Sequence, residues 1–498
     1  MPNTQSIAPV PIDQIVKATS IFQQKTAPPQ FGHDFLPYFS FKQGYVNLNN
    51  GSYGALPKVV TEACTELMAW QEENTDFYYR IGFIPPLIDV RAQLAKLVRA
   101  SDVDELVMVA NASTGLGVVL RNFLWESGDI IIRCNTTYAT VYKTIQYIHD
   151  VTPGVQISEF ELLFPTTHQA ILDGWQKHID NVKQTAPQNK KIVAVIDSIV
   201  ANPGAAMPWK EMVKICKDAG IWTIIDGAHS VGQEELNLAQ CGADFFVSNC
   251  HKWLNSKRGA AFLWMPKASQ KIMLTTIPTS ASYVTPGPDR PDTNIISQFQ
   301  YNGTIDYTTY LSVHVALQWR EWIGGEKAIH EYCNNLAKEG GKLLAQTMNT
   351  QVMDPDGEFT KAMVNVTLPF PSSFQAQYDA SVGTALSNKL LSQNMYAVTY
   401  YHNNIWWTRV SAQIWNELED FTTLANALVT ICSEIVTEHS NANIPADCKA
   451  ASFESYLQHP IQGAVALDSD NAIGAPKPIT TTEVVPVGYH TQLASIRP

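Results

Sequence analysis

The chain has 498 residues, 45% of them hydrophobic and 16% charged, with a net charge of −12. That length and apolar content suit a large globular core of more than one unit. Dispersed acidic charge counts against nucleic acid or an anionic membrane as a partner, and no apolar run is long enough to span a bilayer.

Residues 1–30 are rich in Pro, Gln, Ser and Thr and are expected to form a mobile arm. The segment 31–75 follows and is expected to pack on a smaller C-terminal domain. Within it, 57–75 reads as a helix opened by Pro57, with Val60, Ala63, Leu67 and Trp70 on one face. From 76 to 306 strand and helix patterns alternate. LVMVAN (106–111) leads into a helix near Ser113, and DIIIRC (129–134) into one from about Tyr138. KIVAVIDSI (191–199) precedes the helix WKEMVKICKDAG, followed by IWTIID (221–226), DFFVSNC (244–250) and GAAFLWM. These runs are apolar throughout, which suits strands buried on both faces. An α/β fold with a mostly parallel sheet is therefore expected. Residues 307–440 read as a smaller α+β domain. It holds helices over 307–323, 326–347 and about 416–437, and strands in KAMVNVTL, AVTYYHN and WWTRVSA. A Pro-, Ala-, Thr- and Asn-rich extension spans 441–498.

Eight cysteines stand singly at 64, 134, 216, 241, 250, 333, 432 and 448, with no CxxC. They suggest neither a zinc site nor a disulfide framework. The opening MPNTQSIAPVPIDQ lacks the basic region and apolar run of a secretory signal. The expectation is a soluble cytoplasmic protein without a bound metal.

Open parallel sheets bind ligands at the C-terminal ends of their strands, and four ends here carry polar groups. Asn111-Ala-Ser-Thr-Gly-Leu-Gly117 is a small polar turn opening a helix, suited to a phosphate. Ile225-Asp-Gly-Ala-His-Ser230 sets Asp226 at the end of an apolar strand, where a carboxylate needs a partner. Val200-Ala-Asn-Pro-Gly204 offers Asn202, and Ser248-Asn-Cys-His-Lys-Trp253 offers Lys252. Taken singly, these are also a helix cap, a capping Asp, an Asn-Pro-Gly turn and a surface His-Lys pair. Taken together, they supply what pyridoxal phosphate needs: a reactive lysine, an acid for the ring nitrogen and a phosphate cradle. Tyr138, after the DIIIRC strand, is the flat group to stack on the ring.

The order NAS…Y…D…N…DGAH…SNCHKW…GT…R resembles class V aminotransferases, the fold-type I pyridoxal phosphate enzymes, over about residues 31–437. Within them it is most similar to isopenicillin N epimerase-like proteins and fungal cysteine-sulfoxide lyases. The resemblance implies that Lys252 bonds the cofactor aldehyde, Asp226 pairs its ring nitrogen and His229 lies beside its phenolate. It implies that Ala112 and Ser113 hold the phosphate with His251 and Asn249, and that Asn202 faces the ring oxygen. Arg409, in WWTRVSAQIWNE, matches an arginine that grips the substrate carboxylate; a structural pairing with Glu417 is the ordinary alternative. Gly303 and Thr304 match a loop reaching the phosphate of a neighbouring subunit, which implies a homodimer with shared active sites. The sequence departs from its relatives at three places: Asn50 replaces a pocket-lining His, Ile305 an Arg, and Trp415 a Tyr.

Chemistry at Cα of an amino-acid-like small molecule is expected, with Lys252 as base. Elimination of a β or γ group makes the chain a lyase, the favoured reading. Epimerisation, carbon–carbon-forming cyclisation of the fungal alkaloid type, transamination and a non-catalytic role stay open. Cysteine desulfurisation is disfavoured, because Cys333 and Cys432 fall within helical patterns rather than on a mobile loop.

Overall fold

The computed structural model describes residues 11–23, 27–276, 282–291, 294–375 and 377–441. Part of the expected arm and, from residue 442 onward, the expected extension lie outside them. The described part of the arm is fastened down. Ile12 and Val16 are buried, and the Lys17 and Ala18 amides donate to Glu66 at 2.7 and 3.0 Å.

A two-residue strand, β1 (Val46–Asn47), precedes the central sheet. The sheet has seven strands: β2 (Leu106–Val109), β3 (Ile130–Cys134), β4 (Gln156–Phe160), β5 (Ile192–Asp197), β6 (Trp222–Asp226), β7 (Phe245–Asn249) and β8 (Ala261–Trp264). Their order across the sheet is β2-β8-β7-β6-β5-β3-β4. Neighbours from β4 through β7 pair in parallel, whereas β8 runs antiparallel to both β7 and β2. β5 and β7 are buried along their whole length, as their unbroken apolar runs require. The α/β expectation holds, and each strand named from the sequence lies within a residue or two of its expected bounds.

Three further strands, β9 (Met363–Thr367), β11 (Val398–His402) and β12 (Ile405–Ser411), form an antiparallel sheet in the order β11-β12-β9. β10 (Met395–Tyr396) pairs in parallel with β1, which ties residues 46–47 to this part of the chain. The Ser411 amide also donates to the Leu48 carbonyl at 2.7 Å. The Thr308–Trp322 helix lies against the Lys58–Glu73 and Ile84–Leu97 helices. Among the described residues no helix is long and apolar enough to cross a membrane.

Among the elements unread in the sequence are the β4 strand and the Ile84–Leu97, His168–Thr185 and Ala380–Ser392 helices. β4 is an edge strand, QISEF, in which Phe160 alone is buried, so it lacks the apolar run of its neighbours. The His168–Thr185 helix buries only a stripe of Ile171, Trp175, Ile179 and Val182.

The Gly325–Met348 helix crosses its neighbours at Gly340 and Gly341. A Cβ there would meet the Phe421 ring or Val364 Cγ2 at 2.4 Å. Alanine gains roughly 1 kcal/mol of helix propensity over glycine, while overpacking costs about 1–3 kcal/mol. At so short a contact the second effect wins. Gly341→Ala is therefore expected to lower stability by about 1–2 kcal/mol, read as a lower urea midpoint. A raised midpoint would refute this account of the crossing.

Candidate active site

The C-terminal ends of β2, β5, β6 and β7 open into one cavity of about 200 Å³. Its wall includes Ala112, Ser113, Tyr138, Asp226, His229, Asn249, His251 and Lys252. The structure thus gathers eight of the residues singled out in the sequence. Asn249 ties two strand ends together, because its Oδ1 accepts the Ala112 amide at 2.8 Å. The Ala112–Asn122 helix starts there, capped by Asn111, whose Oδ1 accepts the Thr114 amide at 2.8 Å. Ser113 Oγ lies 2.8 Å from Thr140 Oγ1. Tyr138, just before the Ala139–Val151 helix, is half exposed at the wall.

Lys252 sits in a single helical turn, Cys250–Trp253, directly after β7. Its Nζ is 3.1 Å from His229 Nε2. Burial and then the Arg409 guanidinium lower its pKa to about 8, against the opposing pull of Asp226. Burial, with Lys252, Arg409 and His251 nearby, holds the His229 imidazole well below its ordinary range. His251 is lowered to about 4, chiefly by burial, and its Nδ1 is 3.0 Å from the Ala260 carbonyl oxygen.

Asp226 and Asp197 are register partners on adjacent parallel strands, so both carboxyls stand on the same face of the sheet. Both are buried. The Ala228 amide donates to Asp226 Oδ1 at 3.0 Å, whereas Asp197 Oδ2 is buried with no hydrogen-bond partner. Burial pushes both acids above the ordinary carboxylate range, and Asp197 is raised further by the neighbouring Asp226. Two like charges so close resist ionising together. Asp197 ends KIVAVID just as Asp226 ends IWTIID; the signal was present in the sequence, where the acid had no assigned role.

Arg409 projects from β12 and is buried. Its Nη1 donates to the Ala201 carbonyl and, at 3.4 Å, to Asn202 Oδ1. Its Nη2 donates to Asn49 Oδ1 at 3.1 Å and Ser52 Oγ at 3.2 Å. Ala201 and Ser52 belong to the cavity wall. Glu417, the alternative partner, instead accepts the His33 amide at 2.7 Å.

Besides Arg409, which meets that wall through Ala201 and Ser52, four expected residues stand apart from it. Asn202 touches Arg409 rather than the cavity. Asn50 spends both polar atoms on backbone: Nδ2 donates to the Lys252 carbonyl at 2.9 Å, and Oδ1 accepts the Ala55 amide at 3.0 Å. Gly303 and Thr304 lie in a separate region, where Thr304 borders a surface cleft with Tyr79 and Tyr301. Asn49, Ser52 and Tyr53 went unread, because the sequence does not tell which residues of a turn face inward. Among the described residues no group of three or more His, Cys, Asp or Glu forms a metal site.

The acid pair makes stability depend on pH in the cofactor-free protein. A carboxyl whose folded pKa is raised releases its proton more readily when unfolded. Stability is then fully present below the ordinary aspartate range and falls as pH rises through the raised folded values. Asp197→Asn is expected to flatten that fall, measured as urea midpoints from pH 4 upward. An unchanged slope would show that the two carboxyls do not share their burden.

Residues 54–383 match the aminotransferase class-V family. The chain is 33% identical to the L-cysteine desulfhydrase-like protein lolT1 of Epichloe uncinata, across 82% of this chain and 97% of the relative. It is 27% identical to hercynylcysteine sulfoxide lyase of Schizosaccharomyces pombe, across 81% and 98%. Its fold is similar to that of the cystine C–S lyase C-DES, solved with its product cysteine persulfide. That likeness has a TM-score of 0.63 and 19% identity, and it covers 78% of this chain and 98% of the solved one. The fold-type I architecture, the strand-end lysine facing a buried acid, and these matches agree: the chain belongs to the class V aminotransferase family of pyridoxal phosphate enzymes.

Proposed function

We propose that the chain is a pyridoxal phosphate lyase that removes a sulfur-bearing group from the β-carbon of a cysteine-derived α-amino acid. The observation that supports this most directly is the content of the cavity. It holds a near-neutral amine, a buried acid pair and two residues that grip an arginine, and no described cysteine lines it. Cys250, beside Lys252, is fully buried, and burial raises its thiol, as it does for Cys333 and Cys432. A persulfide-forming nucleophile needs the opposite environment. The names of the two fungal relatives point to carbon–sulfur cleavage as well.

The donor set fits the cofactor. The unpartnered Asp197 Oδ2 and the acid pair suit a protonated ring nitrogen, and the amine suits an aldehyde. Lys252 would hold the cofactor covalently, and Asp226 would face its ring nitrogen. Ala112, Ser113, Asn249 and His251 would bound its phosphate, Tyr138 its ring face, and His229 and Asn202 its ring oxygen. Bound there, pyridoxal phosphate supplies an electron sink that makes the α-proton of an amino acid acidic. Arg409 grips the α-carboxylate and fixes the α-carbon against the Lys252 amine. Lys252, released when the substrate's amine displaces it, would take the α-proton, and the C–S electron pair would leave with sulfur as the C–H pair forms the α–β double bond. Water then completes release of pyruvate and ammonia.

The proposal includes a homodimer with shared sites. Gly303 and Thr304, outside their own chain's cavity, would reach the phosphate of the partner's site. It keeps the division into an arm (1–30), a segment (31–75), a cofactor domain (76–306), a smaller domain (307–440) and an extension (441–498). The seven described cysteines are buried and unpaired, which supports a reducing, cytoplasmic setting.

Incubation with a panel of cysteine thioethers and sulfoxides is expected to yield pyruvate in step with the sulfur product. Exchange of the Cα proton for deuterium without pyruvate would overturn the lyase reading in favour of epimerisation. Lys252→Ala is expected to abolish both turnover and the visible absorbance of the bound cofactor. Retention of both would exclude Lys252 as the anchor. Arg409→Lys keeps the charge and loses the paired geometry. Truncating one partner of a buried charge pair costs about 2–5 kcal/mol, so KM for the amino acid is expected to rise well over tenfold. The cofactor absorbance is expected to persist. Unchanged KM with a lowered Tm would make Arg409 a structural residue.

A further inference from the structure

We infer that Trp253 is a positioning residue: its indole N–H sets the tautomer of His229, so that the imidazole presents a donor, not an acceptor, to Lys252. Trp253 Nε1 donates to His229 Nδ1 at 3.3 Å, and His229 Nε2 lies 3.1 Å from Lys252 Nζ. An indole nitrogen is a donor only. The Nδ1 atom it meets must therefore carry a lone pair. A neutral imidazole has one ring proton, and that proton then lies on Nε2, facing the amine.

Three further observations fix the arrangement. Both side chains are buried, Trp253 1% and His229 2% exposed, so water does not replace the indole contact. The Trp253 backbone is also held: Arg320 Nη1 donates to its carbonyl at 2.6 Å, and Arg320 is itself bound by Glu326. The His229 carbonyl accepts from Gln233 Nε2 at 2.9 Å.

The consequence falls on Lys252. An Nε2–H can donate only to a nitrogen with a lone pair, which is the neutral amine. The opposite tautomer would set N–H against N–H at Trp253 and offer its lone pair to an ammonium. The indole thus selects between a reactive and an inert resting lysine. The charged groups around the ring agree. Burial is the main influence against an imidazolium, and the cationic forms of Lys252 and His251 from the same turn and Arg409 from β12 add to it. Asp226 at the end of β6, with Asp197 beside it on β5, is the opposing influence on Lys252.

The inference rests on the reading of Lys252 as the reactive amine, but its test needs neither cofactor nor turnover. Cofactor-free protein labelled with ¹⁵N-histidine is studied by long-range ¹H–¹⁵N correlation, with His229 assigned by its loss in His229→Gln. Nδ1 is expected at the shift of an unprotonated ring nitrogen and Nε2 at that of a protonated one, at pH 7. The reverse pattern, or an imidazolium, would overturn the inference in the wild-type protein, whatever the variants do. In Trp253→Phe the preference is expected to vanish. Acetylation of Lys252, followed by peptide mass spectrometry across pH, is then expected to shift its midpoint up by about one unit. That is a tenfold loss of neutral amine below the midpoint. A variant with the wild-type tautomer and an unmoved midpoint refutes the positioning role. Failure of the lyase assays would leave these readouts untouched.

Discussion

The site depends on how the turn Cys250–Trp253 is fastened. Two successive carbonyls of that turn are held by side chains from opposite parts of the chain: Asn50 Nδ2 grips Lys252, and Arg320 Nη1 grips Trp253. Gly54 and Gly232 press on the same turn from either side. At Gly54, where φ is +69°, a Cβ would lie 1.7 Å from the His251 carbonyl oxygen. At Gly232 it would lie 2.7 Å from the Trp253 carbonyl. A lysine has long rotamer freedom, and its amine is useful only if the backbone beneath it does not move. The fold supplies that rigidity with hydrogen bonds to backbone, leaving the lysine side chain itself uncommitted except to His229.

Above that turn the site buries bases and acids side by side and holds both toward their uncharged forms. Lys252, His229 and His251 are all pushed toward their uncharged forms, mainly by burial. Asp226 and Asp197 are pushed the same way from the acidic side. In such surroundings a group with both a positive ring nitrogen and a negative phosphate meets partners that can become charged at low cost once it arrives. Perturbed groups of both signs in one concave site are a common mark of catalysis.

Most of the fold was legible because its strands are apolar on both faces and end in polar turns. The gathering of residues at one cavity was legible for the same reason, since a strand end fixes both where a residue lies and which way it points. Asp226, Asn249 and Lys252 are of this kind. The loops were read less well. Around Asn202 and Asn50 the sequence picked the segment but not every inward residue: Ala201 lies in the wall, and Asn49 and Ser52 reach Arg409. Successive residues in a tight turn point in different directions, so residue type alone does not select the inward one. β4 escaped notice because an edge strand buries little, and its sequence carries little of the sheet's pattern.

The turn Asn49–Gly54 has an evolutionary consequence. Through Asn49 and Ser52 it holds Arg409, and through Asn50 and Gly54 it bears on Lys252 and His251. Drift at any of these four positions disturbs the setting of Arg409 or of the Lys252 turn, so selection for a new substrate gains little there. Tyr53 is different: its side chain is 70% exposed yet forms part of the cavity wall. It is the position in the turn where descendants of this protein can reshape the entrance for another side chain while the catalytic framework stays fixed.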